Sequence, residues 1–133
     1  MDKYKLFLDD RKLPEMAIEI DPILEPNSSW VIVKSYKEFT EMILQNGIPY
    51  KISLDHDLSM NHYREEFQFE IDYEKMEEKS GYHCALWLIN YCKEKKLQFP
   101  SYIVHSMNKE GKKNIIELIE NFKNKNDDRK KDK

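Results

Sequence analysis

Three clusters of polar side chains in this sequence each follow directly after a short apolar run. The clusters are Asp9-Asp10-Arg11, Asp55-His56-Asp57 and His105-Ser106-Met107-Asn108. Carboxylates are the ligands that Mg²⁺ and Mn²⁺ prefer, and imidazoles with a pKa near neutrality transfer protons. If the three clusters meet in the fold, their residue types suit metal-assisted acid–base chemistry.

The apolar runs before these clusters have the length and composition of buried β-strands. The sequence predicts strands over 3–8, 30–33, 51–54 and 101–104. Helical patterns separate the later strands, and this alternation indicates an α/β fold with a parallel sheet and right-handed crossovers. A doubly wound order of 2-1-3-4 places the first and third strands side by side. Their carboxylates then meet at the carboxyl edge of the sheet, where ligands bind in such folds.

Three helices are predicted from their start and stop signals. Ser35 and Glu38 form a capping box that opens the first helix, and Gly47 followed by Pro49 ends it. Gly81 opens the second helix. The third helix is predicted over 111–123, where Ile115, Leu118, Ile119 and Phe122 form an apolar stripe.

Two stretches do not fit the alternation. Residues 59–80 follow the third strand and look like an insertion, which we interpret either as a lid or β-flap, pairing with a short extra strand at 17–21, or as a charged loop. Residues 124–133 contain only Asn, Asp, Lys and Arg, a composition that predicts a disordered tail after a single domain over 1–123.

Composition excludes several classes of protein. A net charge of -3 provides no basic field for duplex nucleic acid, and no apolar run approaches the ~18 residues that span a membrane. The charged N-terminus lacks the apolar core of a signal peptide. Cys84 and Cys92 lie eight residues apart in a helical pattern, about 12 Å, which is too far for a disulfide. We therefore expect reduced thiols and a cytoplasmic protein.

The carboxylates are the strongest chemical signal. Asp9, Asp10, Asp55 and Asp57 would repel one another at one edge unless one pKa rises or a cation lies between them, so we predict that they hold Mg²⁺ or Mn²⁺. The alternative is that some of them cap helices or pair with Arg11. Arg11 itself is either a phosphate ligand or a partner of the acidic cluster.

The other polar residues suggest proton transfer and anion binding. His56 and His105 are candidate general acid and base, with Asp55 beside them; the alternative is that each histidine is a hydrogen-bonded structural group. Free N–H groups at the start of the last helix favour an anion. Candidate phosphate ligands there are Ser106, Asn108, Gly111 and Lys112, although Ser106 or Asn108 could equally serve as plain N-caps.

The motifs together resemble the cyclic-phosphate processing receiver domain family and, more distantly, the receiver domains of response regulators. The resemblance rests on Leu8-Asp9-Asp10-Arg11, Ser53-Leu54-Asp55-His56-Asp57-Leu58, Ser80-Gly81 and His105-Ser106-Met107-Asn108-Lys109-Glu110-Gly111-Lys112. It departs from the family pattern at Ser80, Lys109 and Lys112, where threonine, proline and arginine are usual. No fifth strand carries the lysine with which ordinary receivers sense phosphorylation.

The resemblance implies a receiver-like, flavodoxin-like three-layer sandwich with a four-stranded parallel sheet. It also implies a ligand, a small-molecule or RNA-terminal cyclic phosphate. The resulting hypothesis is a metal-dependent phosphoesterase that opens this cyclic phosphate. Three rivals stay open: a sensor or sponge that binds a cyclic nucleotide without turnover, a phosphoacceptor receiver using Asp55, and an interaction module whose acidic edge merely caps the sheet. The sequence predicts no oligomeric state.

Overall fold

The computed structural model describes residues 4–10, 30–58, 79–106 and 108–131. Within these ranges the chain forms four strands and three helices. In chain order they are β1 (Lys5–Leu8), β2 (Trp30–Val33), α1 (Tyr36–Asn46), β3 (Lys51–Leu54), α2 (Gly81–Lys95), β4 (Ser101–Val104) and α3 (Lys109–Lys131).

The four strands form one parallel sheet in the order β2-β1-β3-β4, so the predicted receiver-like α/β topology is confirmed. The strands also end level with one another. Leu8 pairs with Val33 on one side and with Leu54 on the other, and Leu54 pairs with Val104. The residues that follow these strands therefore start from a common edge of the sheet.

The side chains of the sheet alternate between its two faces. Leu6 and Leu8 in β1 join Ile52 and Leu54 in β3 in one buried cluster, which also contains apolar residues from all three helices. On the opposite face Phe7 is completely buried, with Trp30 and Ile103 packed against it. All four residues of β1 are buried, and this burial on both faces explains why Leu6 to Leu8 read as a continuous apolar run rather than as an alternating pattern.

The predicted helix signals are present in the structure. The backbone N–H of Glu38 donates to Ser35 Oγ at 3.2 Å, which caps α1. Gly47 ends α1 at φ 84°, a conformation that glycine adopts without a steric penalty. α2 begins at Gly81, directly after Ser80.

The end of the chain differs from the sequence prediction. α3 extends over Lys109–Lys131, so it begins two residues before and ends eight residues after the helix predicted over 111–123. Disorder of the tail over 124–133 stays a prediction. Phe122 is buried, whereas Lys123, Asn124 and Lys125 are exposed. The helix continues because no proline or glycine follows Gly111, and lysine and arginine are good helix formers.

Other predicted features fall partly or wholly outside the described residues. These are the strand at 17–21, Arg11, and the insertion at 59–80 apart from Lys79 and Ser80. β1 begins at Lys5 rather than at residue 3. In the ranges that the structure describes, no helix combines the length and the apolar character needed to cross a membrane.

Candidate functional site

The strongest cluster of titratable side chains lies one residue beyond the ends of three strands. Asp9, Asp55 and His105 each extend the strand ladder by one hydrogen bond of 2.9 to 3.1 Å from their backbone N–H, accepted by Val33, Leu8 and Leu54 respectively. All three side chains are buried, and one potential ligand atom of each lies within 4.8 Å of the others. The backbone of the sheet therefore fixes the positions of two carboxylates and one imidazole.

The carboxyl group of Asp55 has a strongly raised pKa. Its pKa is raised from 3.8 to about 8, mainly by burial and then by the nearby charges of Asp9, Asp57 and Asp10, against a lowering effect of the hydrogen bond from the backbone N–H of His56. That N–H donates to Asp55 Oδ1 at 2.9 Å and, within the ranges that the structure describes, is the one hydrogen-bond donor to this side chain. The site therefore concentrates negative charge that a bound cation would neutralise.

His105 is held on three sides. Its Nε2 lies 3.0 Å from Asp9 Oδ2, and its Nδ1 lies 2.6 Å from Ser53 Oγ. The ring stacks on Phe7 with centroids 4.4 Å apart and an interplanar angle of 7°. The imidazole is 1% exposed, so its orientation is set entirely by the protein interior.

His56 belongs to a second buried network beside the first. Its Nδ1 lies 2.7 Å from Asp57 Oδ1, and the side-chain amide of Asn108 donates to the same carboxylate at 3.2 Å. Asn108 Oδ1 accepts the backbone N–H of Gly111 at 2.9 Å. Asn108 thus joins the end of β3 to the start of α3, and its amide is engaged at both ends.

Two glycines let the helix starts approach the end of β3 closely. A Cβ atom on Gly111 would overlap the ring of His56, and a Cβ atom on Gly81 would overlap the backbone carbonyl oxygen of Asp55. The backbone N–H of Gly81 donates to the His56 carbonyl at 2.8 Å. Both helices are therefore seated directly against the Asp55-His56 segment.

Some of the candidate phosphate ligands already form hydrogen bonds at the start of α3. Asn108 caps α3 through Gly111, a role that can hold together with the predicted phosphate binding, and Ser106 Oγ accepts the backbone N–H of Asn108 at 3.1 Å. Lys112 lies half-buried in the first turn of α3, and its backbone N–H donates to the Asn108 carbonyl. Its ammonium group therefore stays the best candidate of the set for contacting a phosphate.

The structure brings most of the predicted site residues to one edge and sorts them into two networks. Asp9, Asp55 and His105 form the candidate metal group, whereas Asp57 faces His56. Asp10 is half-buried and close enough to influence the pKa of Asp55. Sequence reasoning missed Ser53, although a serine between Ile52 and Leu54 in a buried strand signals a side chain that needs a hydrogen-bond partner.

The comparison with protein-family models gives one match. The model of the cyclic-phosphate processing receiver domain matches residues 4–121. The chain belongs to this family. The match spans the sheet, both buried networks and most of α3, and the family description indicates a cyclic phosphate as the ligand. Searches of curated proteins and of solved structures gave no match.

Proposed function

We propose that this cyclic-phosphate processing receiver domain is a metal-dependent phosphoesterase that opens a cyclic phosphate, a cyclic nucleotide or an RNA 2′,3′-cyclic end. The observation that carries the proposal is the convergence of Asp9, Asp55 and His105, with the pKa of Asp55 raised to about 8. Carboxylate oxygens with uncompensated charge suit a divalent cation such as Mg²⁺ or Mn²⁺.

Asp9 and Asp55 would hold the cation, and Asp10 lies at the more exposed side of the same edge. When bound, the cation would supply Lewis-acid polarisation of the phosphate and a lowered pKa of water. The positive charge of a cation beside Asp55 would lower the pKa of this carboxyl group, so that its ionised form becomes the stable one. The raised pKa of Asp55 in the free protein thus supports a role in binding a cation.

The phosphate would lie between this edge and the start of α3. Lys112 would contact a phosphate oxygen through its ammonium group, and the positive end of the helix dipole would favour the anion. In the reaction a water oxygen adds to phosphorus, one ring P–O bond breaks, and the departing oxygen takes up a proton. The product is the linear phosphate monoester, with the addition of one water.

The contacts of His56 and Asn108 support a positioning role for both residues. The ring of His56 has no solvent exposure and lies against Gly111, while its backbone N–H donates to Asp55. Asp57 accepts from His56 and from Asn108, so it supports this network. A metal role for Asp57 and a proton-transfer role for His56 remain predictions from sequence.

A turnover assay tests the proposal. The protein would be incubated with Mg²⁺ or Mn²⁺ and a panel of 2′,3′-cyclic, 3′,5′-cyclic and oligonucleotide cyclic phosphates, and products would be separated by chromatography. We expect a linear phosphate from at least one class, a loss of more than ~100-fold for Asp55→Asn, and a smaller loss for Lys112→Ala. Lys113→Ala, on the exposed side of the same helical turn, is the matched control for Lys112.

Two outcomes would contradict the phosphoesterase. Stoichiometric retention of one compound without any product would favour the sensor or sponge. Stable labelling of Asp55 by a small phosphodonor, lost in Asp55→Asn, would favour a phosphoacceptor receiver.

A further inference from the structure

The two ring nitrogens of His105 face different partners. Nδ1 faces Ser53 Oγ at 2.6 Å, and Nε2 faces the carboxylate of Asp9 at 3.0 Å. The stacking of the ring on Phe7 prevents it from turning freely between the two. Nε2 is therefore the nitrogen that points towards the carboxylates, and Nδ1 is the one that points back into the sheet.

Ser53 can complement this ring in either tautomer, because a hydroxyl both donates and accepts. With a proton on Nε2, which donates to Asp9, Nδ1 accepts the Ser53 hydroxyl. With the proton on Nδ1, that N–H donates to Ser53 Oγ, and the lone pair of Nε2 becomes free to bind a cation. A metal-binding histidine commonly donates its other ring N–H to an oxygen in this way.

Ser53 is completely buried within β3, opposite Phe7 in the strand register. A hydroxyl in such a place must have a partner, and His105 Nδ1 supplies it. Because Ser53 lies in a strand rather than in a loop, its hydroxyl has a well-defined position and holds the His105 ring in one orientation.

We propose that Ser53 positions His105 so that Nε2, together with one carboxylate oxygen each from Asp9 and Asp55, forms a mixed nitrogen–oxygen cation site that selects Mn²⁺ over Mg²⁺. The potential ligand atoms of the three residues already lie within 4.8 Å of one another. Asp55 is 7% exposed, and among the described residues only the backbone N–H of His56 donates to its carboxylate, so it retains acceptor capacity towards this space. This inference rests on the cation site of the proposed function.

The selectivity follows from the chemistry of the ligands. Mg²⁺ is held by oxygen ligands and keeps several waters, whereas imidazole nitrogen favours first-row transition metals. Affinity in a given nitrogen–oxygen site rises from Mn²⁺ towards Cu²⁺. Of these ions Mn²⁺ is therefore bound most weakly, and tighter binding of Mn²⁺ than of Mg²⁺ is the most demanding test of a preference for transition metals. One nitrogen ligand therefore distinguishes this site from a site built only of carboxylates.

The test combines binding with spectroscopy of the bound ion. Affinities for Mn²⁺ and Mg²⁺ would be measured by calorimetry on the full chain, and electron spin-echo spectra of bound Mn²⁺ would report ¹⁴N coupling from an imidazole. We expect one Mn²⁺ per chain, bound at least ~10-fold more tightly than Mg²⁺, with ¹⁴N coupling that disappears in His105→Gln. We expect Ser53→Ala to weaken Mn²⁺ binding by ~10-fold or more and to change Mg²⁺ binding much less.

Ser101→Ala in β4 is the matched control, because Ser101 is exposed and belongs to the same sheet. Thermal unfolding of each variant without metal would show whether the fold is retained. If Ser53→Ala weakens both ions equally, Ser53 has no part in selectivity and the inference is overturned.

The remaining outcomes separate this inference from the proposed function. Bound Mn²⁺ that depends on Asp55 but shows no ¹⁴N coupling would overturn the nitrogen ligand and leave the cation site intact. Failure of both ions to bind would overturn the inference and the proposed metal-dependent function together.

Discussion

At the scale of single residues, Asp55 lies where its charged form is unfavourable. It is buried, it has other acids nearby, and in the described part of the chain its carboxylate accepts a hydrogen bond from the backbone N–H of His56 alone. Its pKa of about 8 means that the folded protein holds a proton on Asp55 across a pH range in which the unfolded chain does not.

The raised pKa of Asp55 determines the sign of the pH dependence of the free energy of unfolding. Between about pH 4 and pH 8 the folded state binds one more proton than the unfolded state at this position, so the free energy of unfolding falls as pH rises, by up to ~1.4 kcal/mol per pH unit from Asp55. We therefore expect Asp55→Asn without metal to remove this fall and to be more stable than the parent at pH 8. Urea unfolding in the presence of a chelator at pH 5, 6.5 and 8 measures the slope.

Glu117→Gln, an exposed substitution on α3, should leave the pH dependence unchanged. Equal slopes for the parent and Asp55→Asn would contradict the assignment of a raised pKa to Asp55.

At the scale of secondary-structure elements, the start of α3 is attached to the end of β3 by one side chain. Asn108 accepts from the backbone of Gly111 and donates to Asp57. Asn108→Ala removes an N-cap and leaves a buried carboxylate with one fewer donor, so we expect a loss of ~1–3 kcal/mol in the free energy of unfolding. Chemical denaturation measures this loss. Asn90→Ala, exposed on α2, should change stability by less than ~0.5 kcal/mol, and equal effects of the two substitutions would refute the connecting role.

Gly111 provides a test in which two effects have opposite signs. Helix propensity favours alanine over glycine by ~1 kcal/mol in a helix interior. A methyl group at this position, however, would overlap the ring of His56, which is completely buried. We expect overpacking to dominate, so that Gly111→Ala destabilises the protein by ~1–3 kcal/mol, as measured by thermal or urea unfolding. A stabilised Gly111→Ala variant would show that α3 does not press against His56.

The elements themselves were largely predictable from the sequence, because local patterns specify them. The bounds of β2, β3 and β4 agree with the predicted strands, and Ser35 and Gly47 mark the predicted ends of α1. The extension of α3 to Lys131 was missed because composition alone does not reveal where a polar helix ends.

The contacts within the site were less predictable, because they join distant parts of the chain. His105 lies 52 residues from Ser53 and 96 residues from Asp9 in the sequence. The predicted strand order places the three clusters at one edge of the sheet. It does not predict that Asp57 faces His56 while Asp9 faces His105. That division depends on which way each side chain turns after its strand.

At the scale of the whole molecule, cation binding and folding are linked. The proposed ligands come from the ends of three different strands, so the unfolded chain lacks the site and any bound ion stabilises the fold. At a Mn²⁺ concentration 100 times the dissociation constant, we expect a gain of ~2.7 kcal/mol in the free energy of unfolding, seen as a raised Tm. At one fixed Mn²⁺ concentration, the gain in the free energy of unfolding should be larger at pH 8 than at pH 6, because binding requires ionised Asp55. It should vanish in Asp55→Asn, and a gain that persists in this variant would place the ion elsewhere.

A ³¹P NMR time course tests the metal-dependent opening of a cyclic phosphate most directly. The substrate would be the cyclic phosphate that the protein turns over in the panel, or a 2′,3′-cyclic nucleotide if the panel gives no product. The protein would be present at about one-hundredth of the substrate concentration, first with chelator and then with excess Mn²⁺. We expect no change with chelator, conversion of many equivalents to a linear monoester after Mn²⁺ is added, and no conversion by Asp55→Asn. Conversion that proceeds unchanged with chelator, or an intact cyclic signal after Mn²⁺ is added, would contradict a metal-dependent phosphoesterase.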